Sequence, residues 1–267
     1  MRKILPWIYV NGSVVLQERA MLSVLDDGFQ YGYGFFTTLK VREGIPLFLD
    51  QHLLRLDVSA KQLGIALDQS SRKSIGNGIK SIIEKNELTE GAIRVTVTKG
   101  TVGNPTIVIH ATTIDKEIHT VQVITVLDER DLYKTIKMTY RVPHMIAMQK
   151  AQEHGASDAL FFQNGFLIES TYANIYACTE ESTIITPSIT GRALDSISRK
   201  ILFQQLVIAE QEIPESTKMP LVLVSSLSIR IVEKINGNPI KKDEAFVSKI
   251  QTAITTAEDL FIAASKK

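Results

Sequence analysis

The run ALFFQNGFLIES, residues 159–170, constrains the fold more tightly than any other stretch. Asn164-Gly165 separates two apolar, β-rich halves, and both residue types accept the positive φ of a two-residue hairpin turn. A hairpin here sets the register of both strands. Its returning strand delivers Glu169 and, a few residues on, Asn174. NIYAC and TIITP continue the same sheet. Upstream, TIKMTYRVPHMIAMQK (135–150) places Lys137 just before a segment that reads as a helix. Pro143 suits the first helical turn and Gly155 the stop. Met145, Met148, Ala151 and Gln152 make the expected inner face, with the methionines as core filler. A lysine near a helix entry and a glutamate on a nearby strand can serve one carbonyl-bearing aromatic cofactor. The amine condenses with the carbonyl, and the carboxylate holds a protonated pyridine nitrogen. Most Lys/Glu pairs are only solvated surface charge, so this one needs support from the rest of the chain.

A length of 267 residues suits one large domain or two of moderate size. A formal net charge of +1, with no basic tract recurring among aromatics, argues against nucleic acid as a partner. Cys178 is the single cysteine, which excludes an internal disulfide and a zinc-type cysteine cluster. The expected location is cytoplasmic. The N-terminal apolar run, broken by Pro6 and Asn11, is too short for a signal-peptide core. No apolar run is long enough to span a bilayer. No metal site and no G-x-S-x-G nucleophile elbow is present in the sequence.

In chain order, WIYVNGSVV reads as a hairpin about Asn11-Gly12. LDDGFQYGYGFFTTLKV (25–41) reads either as a glycine-kinked strand with aromatic packing or, more sharply, as an aromatic pocket wall ending in the hydroxyls of Thr37 and Thr38. Asp50 is the expected cap of a helix that runs to Leu63 and stops at Gly64. Its buried stripe is Leu53, Leu56, Ala60 and Leu63. A second helix covers roughly 71–86 by its isoleucine spacing. AIRVTVT (92–98) and TIVIHATT (106–113) are paired strands. The first domain, 1–114, is therefore an α+β meander with two helices on one side. Residues 115–120 form a linker, and 121–267 form the second domain. There, Asp195 or Ser196 caps a helix whose start, with Ser196 and Ser198, is a natural phosphate seat. LVLVSS (221–226) is a buried strand ending in hydroxyls. A last amphipathic helix covers 242–263.

An amine, a carboxylate, serine-bearing phosphate seats and an arginine, Arg55, able to neutralise a phosphate bidentately make up the inventory for pyridoxal 5′-phosphate (PLP). Here the sequence resembles the fold-type IV, class IV aminotransferase-like PLP enzymes. DDGFQYGYGFFTT resembles their D-x-G-x-x-x-G-x-G-x-F segment, and HLLRL their H-x-x-R-L. Ile136-Lys137 resembles the Schiff-base lysine site, and FLIESTYAN resembles V-x-E-x-x-x-x-N. TP at 186–187 with LDSISR resembles T-P…L-x-G-I-T-R, and VSSLS the second phosphate loop. The resemblance implies a two-domain α+β fold: a smaller N-terminal α/β sandwich and a larger C-terminal PLP-binding domain with a barrel-like sheet. It implies that Lys137 holds PLP, that Arg55, Ser196, Ile197 and Ser226 bind its phosphate, and that Glu169 partners the pyridinium. It also implies a homodimer in which first-domain loops reach the partner's site.

Phe36-Thr37-Thr38 stands where transaminases of the family carry Phe-Glu. It is similar to a subset of aminodeoxychorismate lyases, in which the second threonine assists proton transfer. That makes Thr38 a catalytic residue beside Lys137. Lys99 replaces the arginine expected to meet a substrate carboxylate; Arg94 is a second candidate, and Tyr31 and Phe36 complete the expected substrate pocket. Arg141 is retained from the lyase pattern after the lysine, Ser196 replaces a glycine, and Ile229-Arg230 stands where the family often has proline. The expected reaction is conversion of 4-amino-4-deoxychorismate to p-aminobenzoate and pyruvate, a step of folate biosynthesis. The alternatives are a class IV aminotransferase acting on branched-chain L- or D-amino acids, and a non-catalytic binding protein on the same fold.

Overall fold

The structure, a computed structural model, describes residues 3–101, 103–114, 119–130, 135–190 and 193–267. It divides into two compact units. The first comprises Met1–Asp115, Ile136–Tyr140 and Leu260–Lys267; the second comprises Lys116–Thr135 and Arg141–Asp259.

In the first unit, β1 (Ile4–Val10) and β2 (Ser13–Leu16) form the expected hairpin. Asn11 and Gly12 turn it with φ of 46° and 97°. The glycine-rich stretch that follows is not one kinked strand. It opens with a short helix, α1 (Asp27–Tyr31), because Asp26 accepts a bond from the Gly28 amide at 2.6 Å and caps the turn. Gly32, at φ 66°, ends it, and only then does β3 (Gly34–Arg42) begin. Gly28 must lack a side chain, since a Cβ there would lie 2.2 Å from Thr98 Cγ2.

After β4 (Ile45–Pro46), α2 spans Leu49–Leu63. Its cap is Phe48, in the left-handed region at φ 54°, and not Asp50. Asp50 lies inside the first turn, where its charge complements the helix dipole. Gly64 ends α2 as expected. α3 (Gln69–Lys85) starts earlier than its isoleucine pattern suggested, because Asp68 accepts from the Ser71 amide at 2.8 Å. β5 (Gly91–Thr101) and β6 (Asn104–Thr112) complete a sheet in the order β2-β1-β6-β5-β3-β4, antiparallel throughout. It is more than a meander, since the N-terminal strand closes onto β6. α2 and α3 share a core with Phe35, Leu39, Ile93, Val95 and Ile109 on one face. Strand alternation puts Phe36, Thr38, Arg94, Thr96 and His110 on the other.

Lys137 belongs to this unit, whereas the sequence partition placed it in the second domain. Its backbone is pinned to β3: the Phe36 amide donates to Lys137 O at 2.9 Å, and the Thr139 amide donates to Gly34 O at 2.9 Å. Met138 bridges Phe35 between them.

In the second unit, β7 (His119–Leu127) takes the last residues of the expected linker; 115–118 lie outside the described residues. The chain continues through α4 (Val142–Glu153), β8 (Asp158–Gln163), β9 (Phe166–Ser170), β10 (Asn174–Cys178) and β11 (Ile184–Thr186). It ends with α5 (Ile197–Gln205), β12 (Ile208–Glu210), β13 (Leu221–Val224), β14 (Ile229–Ile235), β15 (Asn238–Pro239) and α6 (Glu244–Ser265), whose last residues cluster with the first unit. The sheet runs β12-β11-β10-β13-β14-β7-β8-β9, with β15 on β14. β11–β12, β14–β7 and β7–β8 are parallel pairs. The β8–β9 hairpin turns at Asn164 and Gly165 with φ of 54° and 81°. The inner face of α4 is Ala147 and Ala151, one turn apart; Met145 and Gln152 point to solvent. No described helix is long and apolar enough to cross a membrane.

Candidate active site

In the first unit, residues at the start of β3 divide their side chains between the two faces. Phe36 and Thr38 share one face. The Phe36 ring carries the Arg94 guanidinium 3.5 Å from its centroid and the Lys137 amine at 5.0 Å. Thr38 is opposite Arg94 in the ladder. Thr37 faces the helices, where its hydroxyl accepts from Arg55 and lies 2.6 Å from His52 Nδ1. His52 is buried, and its imidazole is held well below its ordinary pKa by desolvation first and then by the charges of Arg55 and Lys137. Two expected cofactor residues thus act on one buried histidine. The remaining substrate candidates are Lys99 on β5 and Tyr31 on α1. Lys99 pairs with Asp27 at 3.6 Å and is half exposed, so a protein carboxylate already faces its amine. Tyr31 is 71% exposed at the end of α1.

In the second unit, Glu169 and Asn174 grip one peptide unit. Glu169 Oε2 accepts from the Leu194 amide at 3.1 Å, and Asn174 Nδ2 donates to Leu194 O at 3.0 Å. Leu194 leads into Ser196, the cap of α5, whose hydroxyl accepts from the Arg199 amide at 3.0 Å. The E-x-x-x-x-N spacing thereby anchors the start of the expected phosphate helix. The Ile197 amide belongs to the first turn of α5, whose N–H groups have no acceptor within the helix. In the loop after β13, Ser225 Oγ accepts the amides of Leu227 and Ser228 at 3.3 and 3.2 Å and builds the turn that carries Ser226.

Sequence reasoning missed the group behind Glu169. Arg130 Nη1 donates to Glu169 Oε1 at 2.5 Å. Its Nε and Nη2 donate to Asp128 at 2.8 and 3.1 Å, and Nη1 lies 3.2 Å from His144 Nε2. The guanidinium stacks over Phe161 at 4.0 Å. The only cue was an Asp-x-Arg pair just after β7, inside a stretch that reads as an ordinary polar loop.

Taken unit by unit, the groups present are of the kinds that PLP uses. Lys137 offers an amine, Arg55 a guanidinium, α5 first-turn amides, and Glu169 a buried carboxylate already held in place. The amino-transferase class IV profile matches residues 34–219. The chain belongs to that family. The family is PLP-dependent, and PLP is the cofactor. The chain is 24% identical over 277 residues to a D-alanine aminotransferase from Bacillus licheniformis, covering 92% of this chain and 95% of that protein. It is 25% identical over 214 residues to the aminodeoxychorismate lyase of Bacillus subtilis, covering 74% and 72%. Its fold matches the branched-chain amino acid aminotransferase of Escherichia coli with a TM-score of 0.83 at 20% identity, over 95% of each chain. The two-domain α+β architecture is that of fold type IV.

Proposed function

We propose that this class IV enzyme is an aminodeoxychorismate lyase, releasing p-aminobenzoate and pyruvate in the cytoplasm as a step of folate biosynthesis. The observation that carries this reading is the split of Phe36-Thr37-Thr38 across the β3 strand. Thr37 is turned to Arg55 and His52, whereas Thr38 shares a face with Phe36, over which the Lys137 amine sits. A hydroxyl and an amine on that side make a pair of proton carriers, which an elimination needs.

PLP, when bound, supplies the electron sink for the carbanion formed at the substrate carbon bearing nitrogen. Lys137 would hold the cofactor, and its amine would take the proton from that carbon. The Thr38 hydroxyl hands the proton on towards the leaving enolpyruvyl group. Glu169 would hold the protonated ring nitrogen, and Arg130, bonded to Glu169 Oε1, aims that carboxylate. Arg55, the α5 amides and Ser226 would hold the phosphate. Arg94, stacked over Phe36, would meet a substrate carboxylate, with Lys99, paired to Asp27, as the second candidate.

The first unit also exposes an apolar run: Met21, Leu22, Val24, Leu25, Phe29 and Tyr31. A second copy of the chain is the proposed cover, which places Tyr31 in the partner's substrate pocket.

Incubation with aminodeoxychorismate tests the reading: pyruvate and p-aminobenzoate should appear in equal amounts. Transamination is the second reading, favoured by the 92% coverage in the match to the D-alanine aminotransferase. Pyridoxamine phosphate formed from D-alanine or branched-chain amino acids, with no p-aminobenzoate released, would replace the lyase reading with it. A protein that stays colourless with added PLP would leave only a binding role.

A further inference from the structure

Thr37 is fully buried, and its hydroxyl meets two partners. Arg55 Nη2 donates to Thr37 Oγ1, and His52 Nδ1 lies 2.6 Å from the same oxygen. The directions of these bonds follow from the atoms available. A guanidinium carries donors only, so the threonine oxygen accepts from Arg55. The hydroxyl has one proton to give, and among the described residues its other hydrogen-bond partner is His52 Nδ1. Were Nδ1 protonated, it too would donate to that oxygen. The hydroxyl proton would then be stranded in a buried site, which costs more than the bond contributes. The arrangement that matches each donor and acceptor at the Thr37 oxygen has Thr37 donating to a bare Nδ1, which leaves the imidazole proton on Nε2. The burial and cationic neighbours that disfavour imidazolium at this position agree with it.

His52 and Arg55 lie one turn apart on α2, so both side chains reach Thr37 from one helix face. Thr37 and a neutral histidine are both uncharged. Unlike a carboxylate in the same place, they hold a guanidinium without cancelling its charge. We propose that Thr37 and neutral His52, protonated on Nε2, are positioning residues that aim Arg55 at the phosphate of PLP while leaving its full charge for that phosphate. This rests on the phosphate-binding role proposed for Arg55.

Two measurements test it. In cofactor-free protein labelled with 15N-histidine, His52 should show an unprotonated Nδ1 and a protonated Nε2 at neutral pH. An imidazolium, or the opposite tautomer, overturns the proposal. The second measurement is the ratio of PLP to pyridoxal affinity by equilibrium dialysis, which isolates the phosphate contribution. Thr37→Val should lower that ratio about 10-fold or more, and Thr37→Ser should restore it. His52→Asn keeps an acceptor near the place of Nδ1 and should retain the ratio; His52→Gln carries its amide farther out and should lower it. Arg55→Met separates the two ideas. If Arg55→Met leaves the ratio unchanged, the phosphate role of Arg55 fails. If it collapses the ratio while Thr37→Val and His52→Gln do not, that role stands and the positioning proposal is wrong. Should Thr37→Val not fold, the two histidine variants and the tautomer decide.

Discussion

Arg130 Nη1 stands 2.5 Å from Glu169 Oε1, and the same guanidinium holds Asp128 through Nε and Nη2. All three side chains are almost fully buried. One guanidinium is thus shared by two carboxylates, those of Asp128 and Glu169.

Removing the cation would take from two buried carboxylates the guanidinium that both bond. Arg130→Met is therefore expected to destabilise the protein by about 3 kcal/mol or more, because breaking a buried pair strands the remaining charge. Urea unfolding at neutral pH measures this. Affinity for PLP should fall in parallel, since Glu169 would lose the hydrogen bond that aims it. Unchanged stability and unchanged PLP affinity together would show that Glu169 does not depend on Arg130.

Lys137 contributes to the fold through its backbone. Its carbonyl accepts from the Phe36 amide, while its amine lies over the Phe36 ring. Lys137→Ala should accordingly keep the unfolding midpoint close to wild type. It should lose the covalent adduct that borohydride traps between protein and PLP, and product formation should drop by about 10²- to 10⁴-fold. Mass spectrometry of the reduced protein reads the first effect. A trapped adduct persisting in the variant would assign the cofactor lysine elsewhere.

The elements most legible in the sequence were those with a local cause. Asn11-Gly12 and Asn164-Gly165 specify their turns by backbone conformation, and both hairpins formed at those residues. Gly64 likewise ends α2 where a left-handed residue is needed. The failures share another origin. Alternating glycines and aromatics in 25–41 resemble a kinked strand, yet the Asp26 side chain captures the Gly28 amide and starts a helical turn. The inner face of α4 belongs to alanines, which pack with Ala159, Phe161 and Ile168, and two exposed residues, Met145 and Gln152, mimicked the expected period. Lys137 joins the first unit by bonds to β3, a strand about a hundred residues earlier, which no local pattern encodes. Arg130 was hidden for the same reason: its partner Glu169 lies far along the chain.

His110 sits on the Arg94 row of the first-unit sheet, and its pKa is pushed down from the ordinary 6.5 to about 4, by burial first and by the charge of Arg94 second. Between those values the unfolded chain binds a proton that the folded chain refuses. The stabilising contribution is therefore complete above about 6.5 and declines as pH falls towards 4. Each pKa unit corresponds to about 1.4 kcal/mol. His110→Gln should flatten the decline in stability across this window, read from urea midpoints measured along a pH series. Identical pH slopes in the variant and wild type would remove His110 from the acid response.

Thr37 and Thr38 should separate cleanly by measurement, because adjacent residues of β3 face opposite sides. Thr38 shares its side with Phe36 and lies in register with Arg94. Thr38→Val should lower kcat for p-aminobenzoate release by about 10²-fold, the scale of one lost proton-transfer group. KM and the PLP-to-pyridoxal affinity ratio should stay near wild type, and Thr38→Ser should recover most of the rate. Thr37→Val should do the reverse, lowering the affinity ratio and affecting kcat only at subsaturating PLP. If Thr38→Val turns over normally, proton transfer rests on Lys137 alone. The Phe-Thr-Thr segment would then no longer argue for elimination over transamination, because its remaining role, at Thr37, serves cofactor binding in either reaction.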